Sequence, residues 1–370
     1  VSSSQASFQQ APIGVGIVGL SARRGWASRA HLPALQRLDG FELRALSASS
    51  PESARQAAEK YAVARSYGTA DELAAADEVD LVVVTVKVPN HREIIQSALA
   101  AGKAVLSEWP LGNGLAEAEE LAATAAERGL RTFTGLQARS APAVRYLRDL
   151  VADGYVGEVL STSVVASGGS WGALFPEGGA YLLDRANGAT MLTIPFGHTL
   201  DGLTMVLGNV EEVTTVTATR HREVQDPQTG RVFRPNVADQ VVLGGVLSSG
   251  AVVSVHYRGG LSRGTNFHWE INGTDGDLVV TGDTGHLQMG EFSIDGAHGS
   301  DAKLSRLAVP ERYFDPALNE LRGTPAYNVG AAYAQIQRDL TDGSSDVPDF
   351  AHAARHHRLL DRIERAAERV

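Results

Sequence analysis

An α/β protein in two parts is the fold class that this 370-residue sequence predicts, and three observations carry the prediction. The first third alternates short β-branched runs with helical stretches of about 10–15 residues, the pattern of βαβ units and a doubly wound parallel sheet. One run, Leu81-Val82-Val83-Val84-Thr85-Val86, is almost wholly apolar, as a central strand covered on both faces requires. Beyond about residue 137 the pattern changes to longer strands with polar alternation, which reads as an open, mostly antiparallel sheet. At roughly 150 residues per domain the length also suits two domains.

The elements follow in order. Residues 1–12 are mostly Ser, Gln and Ala and read as a loose tail. Strands are expected at 13–18, 41–47, 81–86, 104–107 and 131–135, with helices at 26–38, 51–61, 91–101 and 115–128 between them. A helix at 143–153 opens the second part. Strands are then expected at 158–166, 210–221, 240–247, 251–258, 266–273 and 276–281, divided by turn signals such as Ser248-Ser249-Gly250 and Gly282-Asp283. Helices at 326–340 and 351–368 close the chain, the last placed to fold back on the first domain. The expected domains are thus 13–137 and 138–370.

Composition narrows the function. Lys plus Arg is 33 against 43 Asp plus Glu, a net charge of −10, which disfavours nucleic acid and anionic membranes as partners. There is no Cys, so disulfides, thiolate catalysis and Cys-ligated metals are excluded. The longest buried-looking run is six residues, far from the ~20 that a membrane span needs. With no visible targeting signal, a cytoplasmic location is expected.

Gly14-Val15-Gly16-Ile17-Val18-Gly19 matches G-x-G-x-x-G, but within the strand rather than at its end. The useful loop is Gly19-Leu20-Ser21 to Gly25-Trp26-Ala27: Gly19 ends the strand and Gly25 stands where a helix begins. There a diphosphate meets free N–H groups and the positive helix end. The second strand ends in Ser47-Ala48-Ser49 without the acid that usually holds a ribose 2′-OH. Hydroxyls with Arg55 or Arg23 nearby favour NADP(H), with NAD(H) open. The alternative is that these serines cap the next helix and Arg55 is solvated.

With these residues in view the sequence resembles the Gfo/Idh/MocA oxidoreductase family, and within it the Gal80-like branch. Val86-Lys87-Val88-Pro89-Asn90-His91 stands at the family's Pro-Asn-His turn. Ala101-Gly102-Lys103 to Glu108-Trp109-Pro110-Leu111 resembles its A-G-K-H-V-x-x-E-K-P-L segment. Pro348-Asp349-Phe350 to Ile363 resembles its closing helix, while His31-Leu32-Pro33-Ala34 and Asn187-Gly188-Ala189 to His198-Thr199-Leu200-Asp201 look Gal80-like. The resemblance implies a Rossmann dinucleotide-binding domain and an α/β domain whose open sheet forms a homodimer or a dimer of dimers. It adds Pro89, Asn90, His91, Glu108 and Trp109 to the expected cofactor contacts. Two departures stand out. The Lys of E-K-P is Trp109 here, and no acid stands four residues before the catalytic His, where Ile194 is found.

The expected activity is hydride transfer between a nicotinamide and a sugar, polyol or related hydroxy/keto compound. Such a reaction needs a proton donor at the developing alkoxide. His198, which matches the family's catalytic His, is the first candidate, with Asp201 orienting it. Lys87, at the carboxyl end of the apolar strand, is the second. Tyr181, Asp184 and Trp171 are candidate substrate contacts, and Arg139 either touches ligand or bridges the domains. His352, His356 and His357 include an i, i+4 pair but read as a solvated face, so no metal is expected. The rival expectation is a Gal80-like sensor that binds dinucleotide and a protein partner without turnover.

Overall fold

The computed structural model describes residues 11–23 and 25–367; most of the expected tail lies outside them. The first part is a six-stranded parallel sheet. Its strands are β1 (Ile13–Val18), β2 (Phe41–Ser47), β3 (Arg65–Tyr67), β4 (Leu81–Val84), β5 (Ala104–Glu108) and β6 (Thr132–Gly135). They lie in the order β3-β2-β1-β4-β5-β6, so the chain reverses direction across the sheet between β1 and β4. Helices α1 (Leu32–Leu35), α2 (Pro51–Tyr61), α3 (Ala70–Ala74), α4 (His91–Ala100) and α5 (Leu115–Glu127) cover its faces. Strand periodicity divides the core. Leu81 and Val83 point into one apolar cluster with Ile17, Leu46 and Tyr333; Val82 and Val84 point into the other with Ile95 and Trp109.

The second part opens with α6 (Pro142–Ala152) and β7 (Val159–Ser167), followed by α7 (Gly197–Leu207) and β8 (Val210–Ala218). A small hairpin of β9 (Val224–Gln225) and β10 (Val232–Phe233) stands apart. Strands β11 (Gln240–Leu247), β12 (Val252–Arg258), β13 (Phe267–Gly273), β14 (Gly276–Gly282), β15 (Phe292–His298) and β16 (Ser305–Leu307) complete an eight-stranded sheet. Its order is β16-β15-β14-β13-β7-β12-β11-β8, with every pairing antiparallel except β12 on β7. Helices α8 (Pro325–Thr341) and α9 (Phe350–Ala367) then return to the first part. Tyr333 and Ile336 of α8 enter the first sheet's core, and α9 lies against α5, β6 and β8. Among the described residues no helix is long and apolar enough to cross a membrane.

Two π-helical turns were not anticipated: Ala27–His31 just before α1 and Leu192–Phe196 just before α7. Proline explains their position. Pro33 follows the first and Pro195 lies within the second, and each removes an N–H from the i→i−4 ladder.

Candidate functional site

The carboxyl ends of β1, β4 and β5 meet where the strand order reverses, and there a cleft of about 860 Å³ opens. The end of β1 sets its shape. Gly19 follows the strand with φ +105°, and a Cβ there would come within 2.8 Å of Thr85 Oγ1. Val18 O accepts from Thr85 N at 3.0 Å and from Thr85 Oγ1 at 2.8 Å, which ties β1 to the segment after β4. Helix α2 holds the loop from behind: Tyr61 Oη donates to Ser21 O at 3.0 Å and Lys60 Nζ to Ala22 O at 2.6 Å. The loop leads through Gly25 to the helical turn that begins at Trp26.

Of the residues expected to hold a dinucleotide, Gly19, Ser21, Gly25, Trp26, Ser47 and Ser49 line this cleft. Asn90, His91, Glu108 and Trp109 line it as well. Leu20 and Ala27 do not: both side chains are buried in the core. Pro89 is exposed and stands outside the lining. Arg55 also stands outside, paired with Glu52 on the solvated face of α2, so it gives no support to a 2′-phosphate. Ser50 caps α2, accepting from Ser53 N at 3.2 Å, and leaves Ser49 and Ser53 facing the cleft.

The residues present suit a dinucleotide on the structure's own terms. Ser47 Oγ and Trp26 Nε1 are buried without a hydrogen-bond partner among the described residues, and both side chains line the cleft. Buried polar atoms without partners are rare, and a ligand is one reason for them. A Cβ on Gly25 would find nothing within 4 Å, so the approach to the helix start is open. Gly25, Trp26 and their neighbours would hold the diphosphate, and Ser47 and Ser49 the adenosine ribose.

The opposite wall comes from the second part. Tyr181 lies on a 3₁₀ turn over Glu177–Leu183, anchored where Asn187 Nδ2 donates to Tyr181 O at 2.7 Å. Asn113 Nδ2 donates to Ala186 O at 2.7 Å and so ties this wall to the first part. Lys87, just past β4, places Nζ 4.6 Å from the centre of the Tyr181 ring. Burial pushes the Tyr181 phenol up, so it keeps its proton at neutral pH. His91 is a brace rather than an acid. Its two ring nitrogens meet Val86 O at 3.1 Å and Leu111 O at 3.2 Å, and burial pushes its pKa down.

His198 requires a correction. It is 3% exposed, does not line the cleft, and leaves Nδ1 without a partner among the described residues. Burial pushes its pKa down to about 3, so it carries no spare proton at neutral pH. Asp201 is fully buried and accepts from His352 Nε2 at 2.6 Å and Arg139 Nη1 at 3.3 Å. Burial alone would raise its pKa, but those two partners outweigh it and hold the carboxyl at about 2. Arg139 therefore bridges elements within the second part and its closing helix, outside the cleft lining. Trp171 is a core residue whose Nε1 donates to Leu182 O at 3.0 Å. Asp184 caps a surface turn and accepts from Asn236 Nδ2 at 2.9 Å.

Trp109 separates the two settings. It lines the cleft, donates Nε1–H to Thr193 O at 2.7 Å, and packs with tilted rings against His356 and His357 of α9, ring centres 4.9 and 4.5 Å apart. The histidines of α9 are thus largely internal, not a solvated face: His356 and His357 are buried and His352 is engaged by Asp201. Ile194 also lines the cleft, where the resemblance leads one to look for an acid. Sequence reasoning did not foresee Thr85, Ser53 or Ile194 as lining. For Ser53 the signal was available, since it follows the Ser50 cap by one turn.

Known proteins agree with this architecture. Residues 13–136 match the oxidoreductase family with an NAD-binding Rossmann fold, and residues 142–282 match the C-terminal domain of Gal80p. The galactose/lactose metabolism regulatory protein GAL80 of Saccharomyces cerevisiae is 30% identical over 77% of this chain and 70% of its own. The 1,5-anhydro-D-fructose reductase of Ensifer adhaerens is 27% identical over 71% of this chain and 75% of its own. The crystal structure of a super-repressor mutant of S. cerevisiae Gal80p superimposes with a TM-score of 0.88 at 25% identity, covering 97% of this chain and 96% of that one. From its Rossmann sheet to its closing helix, the chain belongs to the Gfo/Idh/MocA oxidoreductase family, in the branch that includes the Gal80 regulators.

Proposed function

We propose that the chain is an NAD(P)(H)-dependent oxidoreductase acting on a sugar, polyol or related hydroxy/keto compound, with Tyr181 and Lys87 handling the proton. The observation that carries this reading is the Lys87 ammonium over the Tyr181 ring, inside a cleft suited to a dinucleotide. A bound nicotinamide supplies or takes up the hydride. The chain supplies the rest. In the reducing direction the Tyr181 hydroxyl donates to the substrate carbonyl oxygen and gives up its proton as the alcohol forms. The Lys87 charge stabilises the phenolate left behind, and water restores its proton. The reductase relative acts on a sugar derivative, which supports that substrate class.

A second reading is the non-catalytic regulator, favoured by Trp109 and Ile194 at the positions where the family resemblance leads one to expect Lys and an acid. Single-turnover absorbance with NADH or NADPH and a panel of keto-sugars separates the two. For the enzyme, Tyr181→Phe lowers turnover by ~10²-fold while dinucleotide affinity stays within about threefold. Saturable binding with no conversion across the panel points to the regulator.

We also place self-association on the open sheet face. Val165, Val216, Val242 and Val252 are exposed there, and Val242 pairs directly with Val216. Sedimentation of the wild type should give a dimer or dimer of dimers that Val242→Glu dissociates; a wild-type monomer contradicts the assignment.

A further inference from the structure

Glu108 reaches the cleft at the end of β5, and its other side is held by residues that the nucleotide-binding motif does not include. Its Oε1 lies 3.0 Å from His31 Nε2, and His31 Nδ1 lies 2.8 Å from Tyr333 Oη. The three come from distant chain segments: the π turn before α1, the end of β5 and the middle of α8. His31 is 1% exposed and Tyr333 fully buried, whereas Glu108 lines the cleft. Gly135 of β6 packs against the same carboxylate: a Cβ there would lie 2.6 Å from Oε1.

The hydrogen-bond inventory orients the chain of donors. A buried phenol needs an acceptor for its proton, and among the described residues the Tyr333 hydroxyl has one partner, His31 Nδ1. Were Nδ1 to carry a proton, the phenol O–H would be buried without an acceptor, an unfavourable state. Tyr333 therefore donates to Nδ1, the imidazole proton sits on Nε2, and Nε2–H donates to Glu108 Oε1. Oε2 has no protein partner among the described residues, and Glu108 lines the cleft.

We propose that His31, backed by Tyr333, is a positioning residue that fixes Glu108 as an acceptor for a hydroxyl group of the ligand bound in the cleft. This rests on the cleft being a ligand site, as proposed above. The hydroxyl belongs either to the ribose of a dinucleotide or to a polyol substrate, and the test separates them.

The first test needs no ligand. In ¹⁵N-histidine NMR of the free protein, His31 should show a protonated Nε2 and an acceptor Nδ1, and Tyr333→Phe should disturb that pattern. An Nδ1-protonated neutral tautomer overturns the relay whether or not the cleft binds dinucleotide. The second is a double-mutant cycle on the full chain. Glu108→Gln should weaken binding about tenfold, and His31→Leu should do the same alone but add nothing in the Glu108→Gln background. If His31→Leu does not fold, Tyr333→Phe takes its place, with a smaller loss that also vanishes beside Glu108→Gln. A loss of NADH or NADPH affinity assigns the ribose; a loss confined to the polyol KM assigns the substrate. Unchanged binding in both arms, or additive losses, overturns the proposal. A wild-type chain that binds neither dinucleotide, yet shows the expected tautomer, refutes the cofactor reading alone and leaves the polyol arm to decide.

Discussion

Two groups of titratable side chains lie on either side of Trp109, and they behave oppositely. On the cleft side, Lys87, Tyr181 and Glu108 border space that a ligand can enter. Behind the indole, His198, Asp201, His356 and His357 are sealed among α7 and α9. Burial holds His198 and His357 neutral, with pKa values near 3, while Asp201 stays charged only because Arg139 and His352 compensate it. The lesson is that a side chain's chemistry follows from its access, not from the motif that contains it. His198 stands in a motif of the family, yet Lys87 and Tyr181 are the pair that borders the cleft.

The sharpest way to break this contrast is to damage each side and ask what fails. Asp201→Ala strips a buried pair of its carboxylate and should cost about 3–5 kcal/mol of stability, read as a drop in the urea midpoint. A change below 1 kcal/mol would mean that the cluster does not brace the fold. On the cleft side, Lys87→Met should lower turnover by ~10²-fold with little change in urea midpoint. His198→Asn should do the reverse, losing stability while the remaining turnover stays within a few fold. A His198→Asn variant that is stable but inactive would restore the catalytic reading of that residue.

Acid provides a gentler probe. Unfolding returns His198 and His357 from about 3 to the ordinary value of 6.5. Between those values the unfolded chain binds protons that the native chain excludes, so stability falls as the pH drops below 6.5. Asp201 contributes stability that is complete above 3.8 and is lost as the pH falls towards about 2. Urea midpoints measured from pH 7 to 4.5 should decline, and His357→Gln should flatten the decline. An unchanged slope would show that His357 is not held neutral. The smallest effect is expected at Ser47→Ala. It removes a buried hydroxyl without a partner among the described residues, so the free protein should lose no stability, while dinucleotide affinity falls by a few fold. Equal affinity would take Ser47 out of the site.

Much of the first sheet was legible because its strands announce themselves. Leu81–Val84 is a continuous apolar run, and Phe41–Ser47 and Pro51–Tyr61 fall within their expected bounds. In the two larger sheets the strands that escaped notice are short or interrupted: Arg65–Tyr67 and β16 are three residues each, and the seven-residue Phe292–His298 alternates apolar with polar residues and is interrupted by Gly296. The nucleotide loop was legible at Gly19 and Gly25, since local backbone geometry demands glycine-like freedom there. Lys87 and Tyr181 were legible singly, one as a proton donor and the other as a substrate contact, but their pairing was not, because they meet only through tertiary packing between the two parts. The same reason hid the contacts of His31 with Tyr333 and Glu108, which come together across most of the chain. His198 misled because periodicity does not report how deeply a helix start will be covered, and the depth here depends on α9 and Trp109.

Calorimetric titration of the ligand-free protein with NADH and with NADPH tests the account at its root. We predict saturable binding of at least one of them at one site per chain, with affinity retained in Lys87→Met and reduced in Ser47→Ala. Absence of binding by either dinucleotide, or binding indifferent to every substitution in the cleft, would contradict it.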